Sequence, residues 1–275
     1  MTEIIAYFST IPSSHRSLIL VGGITILWLL ENVFPLFGLR YKKWHHAGIN
    51  FFMTFTTIAI NFTFAFLLLA TSNWTITNDF GALQWLPKMP LWLYTLIGLL
   101  LLDFIGAYLV HLIEHKVTLL WRFHLIHHTD TWVDTTSGNR HHPGESVIRF
   151  GFTLLGVLIV GSPMWMVFLY QTISVVSTQF THANIALPQK LDSFLSYFIV
   201  SPNMHKVHHH YKLPYTDSNY GNIFSVWDRL FGTFMYLKKE DIVYGIDTYM
   251  NPKENNALNN LLKIPFQKAR STKNT

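Results

Sequence analysis

The stretch that decides the fold is LWLYTLIGLLLLDFIGAYLVHLIEHKVTLLWRFHLIHH, residues 91–128. Most of it belongs to an apolar run, Pro90–Val110, in which Asp103 is the only charged residue. This run exceeds the roughly 20 residues that a helix needs to cross about 30 Å of hydrocarbon. Two histidine clusters follow at once, His111-Leu-Ile-Glu-His115 and His124-Leu-Ile-His127-His128. The stretch therefore predicts a membrane helix that leads into a group of histidines.

Three more apolar regions surround this stretch. Ser17–Gly38 and Gly48–Thr71 precede it and are each long enough to span a bilayer. Val147–Phe180 follows it and is interrupted by Gly161-Ser162-Pro163, a turn signal. This last region predicts a helical hairpin whose arms are each too short for an untilted span. The predicted fold is an all-α integral membrane protein, with about three transmembrane helices, this hairpin, and a cytoplasmic helical cap that carries the histidine clusters.

The composition supports a membrane protein and excludes several kinds of site. Of the 275 residues, 50% are hydrophobic and 13% are charged, against about 25% charged in a typical soluble domain. On so apolar a chain, the net charge of +5 favours a role in membrane topology over nucleic-acid binding. The chain has no cysteine, which excludes disulfides, iron–sulfur clusters, thiolate zinc sites and cysteine nucleophiles.

The positive charges predict the orientation. Arg40, Lys42 and Lys43 lie between the first two spans, so the positive-inside rule places 40–47 in the cytoplasm, 72–89 outside, and everything after 111 inside. We expect one structural domain in three parts. These are the N-terminal transmembrane helices at 1–89, a histidine-bearing catalytic core at 90–250, and a cytoplasmic tail at 251–275 with a short interfacial helix and a frayed end.

A third histidine cluster, His205-Lys-Val-His208-His209, completes the pattern. Residues three and four apart share one face of a helix, so each cluster predicts two or three converging imidazoles. Imidazole suits iron, zinc, copper and nickel. Eight such donors indicate two metal ions, or one ion with redundant ligands.

Two other functions use histidine and metal. The order His-x-x-Glu-His at His111–His115 also occurs in inverted zinc peptidases, so a membrane zinc hydrolase is one alternative, although it needs only about three ligands. A non-enzymatic metal-binding or transport protein is the other, although a transporter should place its ligands near the bilayer midplane. Haem is disfavoured because it needs one axial histidine on each side.

Further motifs surround the clusters. Leu119–His124 reads LLWRFH, and His128–Asp130 is followed by Asp134-Thr135-Thr136 and by the RHHPGE of Arg140–Glu145. After the third cluster come Asp217, the NYGN of 219–222 and the WDRLFGT of 227–233. Together these motifs resemble the fatty acid hydroxylase / sterol desaturase superfamily of integral membrane di-metal oxygenases. The resemblance covers roughly residues 90–236.

The resemblance implies specific ligands. The eight cluster histidines are the expected metal ligands, and His182 and His142 are further candidates: the set is His111, His115, His124, His127, His128, His205, His208, His209, His182 and His142. His210 is expected beside the site, and His15, His45 and His46 at the membrane interface.

Four carboxylates are expected to support the ligands. Metal-bound imidazoles usually donate their second ring N–H to a carboxylate or carbonyl, a role for Asp134, Glu145 and Asp217. Asp103 lies within a membrane run, where a charge is functional by default. It is expected either to organise the helix end near the metals or to hydrogen-bond to a neighbouring helix.

The resemblance also implies the chemistry. The expected reaction is the O2-dependent hydroxylation or desaturation of a lipid or sterol-like substrate at two iron ions, with zinc as an alternative occupant in purified protein. The sequence has no flavin, haem or Fe–S motif, so electrons are expected from an external ferredoxin or cytochrome b5-like donor with its reductase. The expected location is the bacterial inner membrane, or the ER membrane of a eukaryotic host, with the histidines facing the cytoplasm.

Overall fold

A computed structural model describes residues 1–38 and 40–270 of the chain, and in this part it is helical. No β-strand occurs among these residues, which carry only three isolated bridges. The prediction of an all-α fold is therefore confirmed. The α-helices are α1 Thr2–Ser9, α2 Ser13–Val33, α3 Lys43–Thr77, α4 Leu91–Asp103, α5 Val110–Lys116, α6 Thr118–His128, α7 Pro143–Val160, α8 Met164–His182, α9 Gln189–Leu195, α10 Pro202–His208, α11 Val226–Leu230, α12 Pro252–Asn255 and α13 Leu258–Lys263.

In the described part of the chain, four helices are long and apolar enough to cross a membrane. Three of them, Ser13–Val33, Lys43–Thr77 and Leu91–Lys116, confirm the predicted spans. The fourth is α7, the first arm of the predicted hairpin, which at 18 residues reaches the short end of the spanning range. The expectation that this arm is too short for a span is therefore not supported.

The third span joins α4 to α5 through one π-helical turn, Phe104–Leu109. Such turns insert one residue into the helical repeat and are frequent at functional sites. Here the turn ends just before His111, the first histidine of the first cluster. It thus sets the direction in which the helix presents that cluster.

The hairpin turn between α7 and α8 lies at the end of the bundle away from the histidines. Gly161 has a left-handed φ of 68°, which favours glycine. A Cβ on Gly161 would lie 2.4 Å from the backbone oxygen of Phe80, so the loop before α4 packs directly on this turn. Gln84 secures the contact by donating from Nε2 to the Gly161 carbonyl at 2.6 Å.

Two packed clusters connect the helices. The larger one includes Leu68, Leu102, Val157 and Met166 and joins α3, α4, α7 and α8. A second cluster packs Ile49 of α3 and Ile126 of α6 against Leu261 and Ile264 of the C-terminal region. The tail is therefore folded onto the bundle up to 266, and its last residues, 271–275, lie outside the described part.

Candidate metal centre

The histidines of the three clusters form two adjoining groups. In the first, the side-chain nitrogens lie within 4.8 Å of one another and come from His111, His115, His124, His128 and His208. In the second, the same criterion joins His127, His182, His205 and His209. The groups are neighbours, because the rings of His128 and His209 are 5.1 Å apart. All eight cluster histidines and His182 are thus brought together.

The two groups do not follow the order of the clusters. In α6, His124 and His128 belong to the first group, while His127 belongs to the second. Around α10 the reverse holds: His205 and His209 belong to the second group and His208 to the first. In each HxxHH cluster the pair four residues apart stays together, and the remaining histidine crosses to the other group. The expectation of one convergent set per cluster is therefore replaced by two mixed sets.

Caps fix the start of α10, which carries His205 and His208, and the short turn Thr135–Asn139 that follows α6. Ser201 begins α10 by accepting a hydrogen bond from the Met204 backbone N–H, and Pro202 occupies the first helical position, where its missing donor costs nothing. Asp134 and Ser137 form a reciprocal cap on the turn that follows α6. These caps hold the backbone on both sides of the site.

Within each group the Nε2 atoms point at one another. Nε2 of His124 lies 3.1 Å from that of His111 and 3.2 Å from that of His128. In the second group, Nε2 of His182 lies 3.0–3.2 Å from the Nε2 atoms of His127, His205 and His209. Facing imidazole nitrogens that are not metal-bound bring lone pairs together, so this convergence suits a shared cation.

Two Nε2 atoms of the first group have no hydrogen-bond partner among the described residues. These are Nε2 of His115 and Nε2 of His208, both in buried surroundings. A buried polar atom without a partner is costly unless a water or ion satisfies it. A metal ion at the centre of this group accounts for both, since each offers a free lone pair to it.

The opposite ring nitrogens of several ligands meet carbonyl oxygens. Nδ1 of His111 lies 2.9 Å from the carbonyl oxygen of Tyr220, and Nδ1 of His208 lies 2.6 Å from that of Ser218. In the second group, Nδ1 of His182 lies 2.8 Å from the carbonyl oxygen of Thr178. A carbonyl only accepts, so each Nδ1 must donate its proton. The lone pair of each ring is then on Nε2, the atom that faces the group centre.

On two other histidines, the Nδ1 atom faces one of the expected carboxylates instead of a carbonyl oxygen. Nδ1 of His124 lies 2.8 Å from Glu145 Oε1, and Nδ1 of His115 lies 3.1 Å from Asp217 Oδ1. Lys116 also donates to Asp217, at 2.6 Å. Partial burial raises the pKa of Asp217, but the hydrogen bonds from His115 and Lys116 outweigh it and lower the pKa to about 2. Asp217 is therefore ionised.

Glu145 is the centre of a buried ionic network. Besides His124 it accepts from Nδ1 of His141 at 2.6 Å and from Nε of Arg149 at 2.9 Å. Arg149 also donates to Oε2 of Glu114 at 2.6 Å. The network thus fixes a ligand of α6 to α7, the helix that carries Glu145 and Arg149.

Six of the grouped imidazoles are held neutral by burial. Burial lowers the pKa of six ligands well below the ordinary value for histidine, and neighbouring histidines lower it further: His124, His127, His128, His205, His208 and His209. A neutral ring keeps the lone pair that a metal requires. The groups are therefore in the protonation state for binding cations at neutral pH.

Comparison with known proteins agrees with this geometry. The family model described as Fatty acid hydroxylase matches residues 95–233, about half of the chain. The chain belongs to the fatty acid hydroxylase family. The matched residues contain all nine grouped histidines, so the centre lies entirely within the family region.

Several curated proteins are similar to this member of the fatty acid hydroxylase family. The chain is 28% identical to ornithine lipid hydroxylase OlsE of Rhizobium tropici over 153 residues, 54% of this chain and 44% of that protein. It is 28% identical to alkylglycerol monooxygenase of Xenopus tropicalis over 166 residues, 59% of this chain and 34% of that protein. Methylsterol monooxygenase 1 of Rattus norvegicus is 22% identical over 179 residues, 64% of this chain and 59% of that protein.

The alignments thus span less than two thirds of these relatives. No solved structure matches the chain significantly.

Three of the expected site residues make no hydrogen bond to a grouped histidine in the described part of the chain. His142 caps the N-terminus of α7, with Nδ1 accepting from the Gly144 backbone N–H at 3.0 Å. Asp103 accepts from the backbone N–H groups of Ile223 and Phe224. Asp134 accepts from the backbone N–H of Thr136 at 2.8 Å and lies 3.4 Å from Nδ1 of His46. The partners of Asp103 lie in the non-helical stretch before α11 and not in a neighbouring helix.

The remaining histidines separate into expected and unexpected positions. His210 lies outside both groups, as predicted, and its Nδ1 accepts from the Val243 backbone N–H. His45 approaches the Asn256 carbonyl near the surface, at 2.9 Å. The prediction that His46 lies at the membrane interface is wrong. This residue is 2% exposed, and its Nε2 lies 2.9 Å from the carboxylate of Asp130. The loop after α6 folds over the start of α3 and encloses it.

Sequence reasoning also missed Lys206, which lies between two ligands in the third cluster. Its side chain is fully buried and donates to the carbonyls of Thr181 and Ala183, at 3.2 and 2.6 Å. These residues flank His182, so Lys206 holds the end of α8 that carries this ligand. Burial lowers the pKa of Lys206 to about 7. Its position in a HxxHH cluster is the only sequence signal that could have indicated it.

Proposed function

We propose that this protein is a membrane-bound di-iron oxygenase that uses O2 to hydroxylate or desaturate a lipid. The observation that supports this most is the arrangement of nine buried imidazoles in two adjoining groups, at one end of a bundle with membrane-spanning helices. Five and four nitrogen donors suffice for one ion each. Two neighbouring ions held by neutral ligands suit redox chemistry better than the single three-ligand site of a zinc hydrolase.

The nitrogens of both groups would hold the two irons. The first ion would be bound by His111, His115, His124, His128 and His208, and the second by His127, His182, His205 and His209. Bound iron supplies the activation of O2 and the oxidation of an unactivated C–H bond.

The chain's own residues prepare this chemistry by holding protons at defined atoms. The Tyr220, Ser218 and Thr178 carbonyls keep the proton of their partner histidines on Nδ1. Glu145 does the same for His124, and Arg149 balances the charge of that carboxylate. The ligands thereby keep one tautomer and one ring orientation, which raises their basicity toward a metal.

Burial is the second contribution of the chain. Eight of the nine grouped histidines are at most 6% exposed, and His115 is only half-buried as a whole residue while its side chain is enclosed. Exclusion of water protects reactive chemistry from side reactions. The site therefore suits an apolar substrate better than a water-soluble one.

The substrate class follows from the location and from the relatives. The third span runs directly into the first histidine group, so a lipid can approach from the bilayer without leaving an apolar environment. The relatives named above are hydroxylases or monooxygenases of an ornithine lipid, alkylglycerol and methylsterol. A lipid or sterol-like molecule is therefore the proposed substrate.

We propose that the electrons come from a separate protein. The chain has no cysteine and so cannot bind an iron–sulfur cluster through thiolates. We assign this role to a ferredoxin or cytochrome b5-like donor with its reductase, docking at the histidine end. By the positive-inside rule this end faces the cytoplasm, in the bacterial inner membrane or, in a eukaryotic host, the ER membrane.

The test is turnover under labelled oxygen. Protein reconstituted with iron, a reductase system and a lipid extract should consume O2 and give a product heavier by one oxygen atom or lighter by two hydrogens. In a hydroxylation, 18O2 should label the product, and His208→Ala should remove the activity. Equal turnover without O2, with the new oxygen taken wholly from water, would support a zinc hydrolase. Metal binding with no lipid product would support a metal carrier.

A further inference from the structure

A segment that follows the third histidine cluster, residues 221–231, lies against the middle of the third membrane helix. Asp103 stands halfway along Leu91–Lys116, a span of 26 residues. Its carboxylate accepts from the backbone N–H groups of Ile223 and Phe224, at 3.3 and 3.2 Å. A helix that enters hydrocarbon at Leu91 rises 1.5 Å per residue and leaves it after about 20 residues. Residues 223 and 224 therefore lie at a depth within the hydrocarbon.

Aromatic contacts place α11 against the same part of the third span. The ring of Phe231 stacks on Phe104 and on Tyr108, with centroids 5.5 and 5.4 Å away. Trp227 packs on Phe104 from the other end of α11, at 4.9 Å. Since Phe104 and Tyr108 belong to the membrane-spanning helix, α11 shares their depth.

Four backbone N–H groups just before α11 have carboxylate partners within the chain, a kind of pairing that hydrocarbon requires. Asp228 is fully buried, and its carboxylate accepts from the N–H groups of Tyr220 and Gly221 at 2.7 and 2.9 Å. Together with Asp103 it satisfies four backbone donors in a stretch that is not helical. Non-helical backbone is tolerated at membrane depth only where such partners exist.

The outward side chains of the segment are apolar. Val226, Leu230 and Phe231 are 41%, 67% and 51% exposed. The charged Arg229 is turned inward, with its guanidinium over the rings of Tyr197 and Phe234 and a hydrogen bond to the Ser196 carbonyl at 2.8 Å. The segment thus turns its charged side chains inward and its apolar side chains outward.

The end of α9 extends this apolar surface. Phe194, Tyr197 and Phe198 are 60–64% exposed, and an isolated bridge between Ile199 and Phe224 joins them to the segment. We define the aromatic patch as Phe194, Tyr197, Phe198, Val226, Leu230 and Phe231. An apolar patch of this kind on a protein marks a contact with a membrane or another protein.

We propose that the aromatic patch is embedded in the bilayer, as a re-entrant element in the leaflet on the histidine side. The occupant of this surface is lipid, because the patch is continuous with the membrane-facing part of the third span through Phe104. Asp103 is then explained: it is the internal partner that lets residues 221–231 lie in hydrocarbon. The element anchors the third histidine cluster to the membrane independently of the activity proposed above.

The absence of cysteine makes site-specific labelling direct. Leu230→Cys and Phe198→Cys, each at an exposed position, carry a nitroxide in the full-length chain, reconstituted in vesicles of phosphatidylcholine and phosphatidylglycerol. Collisions with O2, which concentrates in hydrocarbon, are compared with collisions with a water-soluble nickel chelate. Phe62→Cys, 82% exposed on α3, is the lipid-facing control, and Lys253→Cys in α12 is the aqueous control.

Both patch labels should show the high O2 accessibility and the loss of nickel accessibility seen at residue 62. Values that match residue 253 at both positions would overturn the proposal, because the patch would then face water. Shielding from both reagents would also overturn it, because the surface would then be covered by protein, such as a second copy of the chain. Leu230 ends α11 and Phe198 lies in the turn that follows α9, so a distortion at one position leaves the other informative.

Discussion

Replacement of Glu145 by glutamine should weaken the binding of one metal ion and leave the binding of the other unchanged. The carboxylate accepts from Nδ1 of His124, from His141 and from Arg149. Glutamine can keep a carbonyl oxygen at the Oε1 position, where all three donors meet, but it loses the negative charge that attracts them. Arg149 still has Glu114 at 2.6 Å, so no buried cation is left unpaired and the protein should fold.

The magnitude follows from the position of Glu145 behind a ligand. Loss of such a partner costs about 10–100-fold in metal affinity, which is about 1.4–2.7 kcal/mol. Of the two groups, His124 belongs to the first, so the loss should fall on one ion. Ligands of the second group, such as His182, keep their own hydrogen bonds.

The assay is a chelator titration followed by elemental analysis. Glu145→Gln should release one ion per chain at about 10–100-fold lower chelator activity than the wild type, and the second ion at an unchanged activity. The matched control is Glu254→Gln, which breaks the exposed pair with Arg270 and should change neither step. Release of both ions together, or of neither, would refute the assignment of Glu145 to the first group alone.

Three further predictions concern stability and topology. His142→Ala should keep the metal content of the wild type but lower the free energy of unfolding by about 0.5–2 kcal/mol through loss of a helix cap; a fall in metal content would show that His142 is a ligand. His46→Ala should lower thermal stability because it leaves a buried carboxylate without its histidine partner. The neighbouring His45→Ala should be near neutral. Equal melting temperatures for the two variants would contradict the burial of His46. A tag within 74–86 should be accessible from outside the cell and a reporter after Thr275 from the cytoplasm; the same side for both would contradict the topology.

Local spacing made much of this fold and site predictable. Apolar runs of about 20 residues indicate spans because the bilayer fixes their length, and Gly161-Ser162-Pro163 marks a hairpin turn because glycine permits the left-handed backbone found there. The i, i+4 spacing of His124 and His128 correctly predicts that they lie in the same group. Each of these features depends on a short stretch of chain.

Features that depend on long-range packing could not be read in the same way. The spacing of α6 does not reveal that His127 joins residues from α8 and α10 rather than its own neighbours. His46 resembles an interfacial residue because Lys42 and Lys43 precede it, and only the folded loop after α6 shows that it is buried beside Asp130. Asp103 likewise stands alone in its span until residues 223–224 pack against it.

The most direct test of the central claim is the number of iron ions per chain. Protein reconstituted anaerobically with ferrous iron, freed of excess metal, should contain two irons per chain by elemental analysis. His111→Ala alters the first group, and His182→Ala alters the second. Each variant should weaken the binding of one ion and leave the other ion bound. One iron per chain in active wild-type protein, or the loss of both ions in each variant, would contradict two separate metal sites.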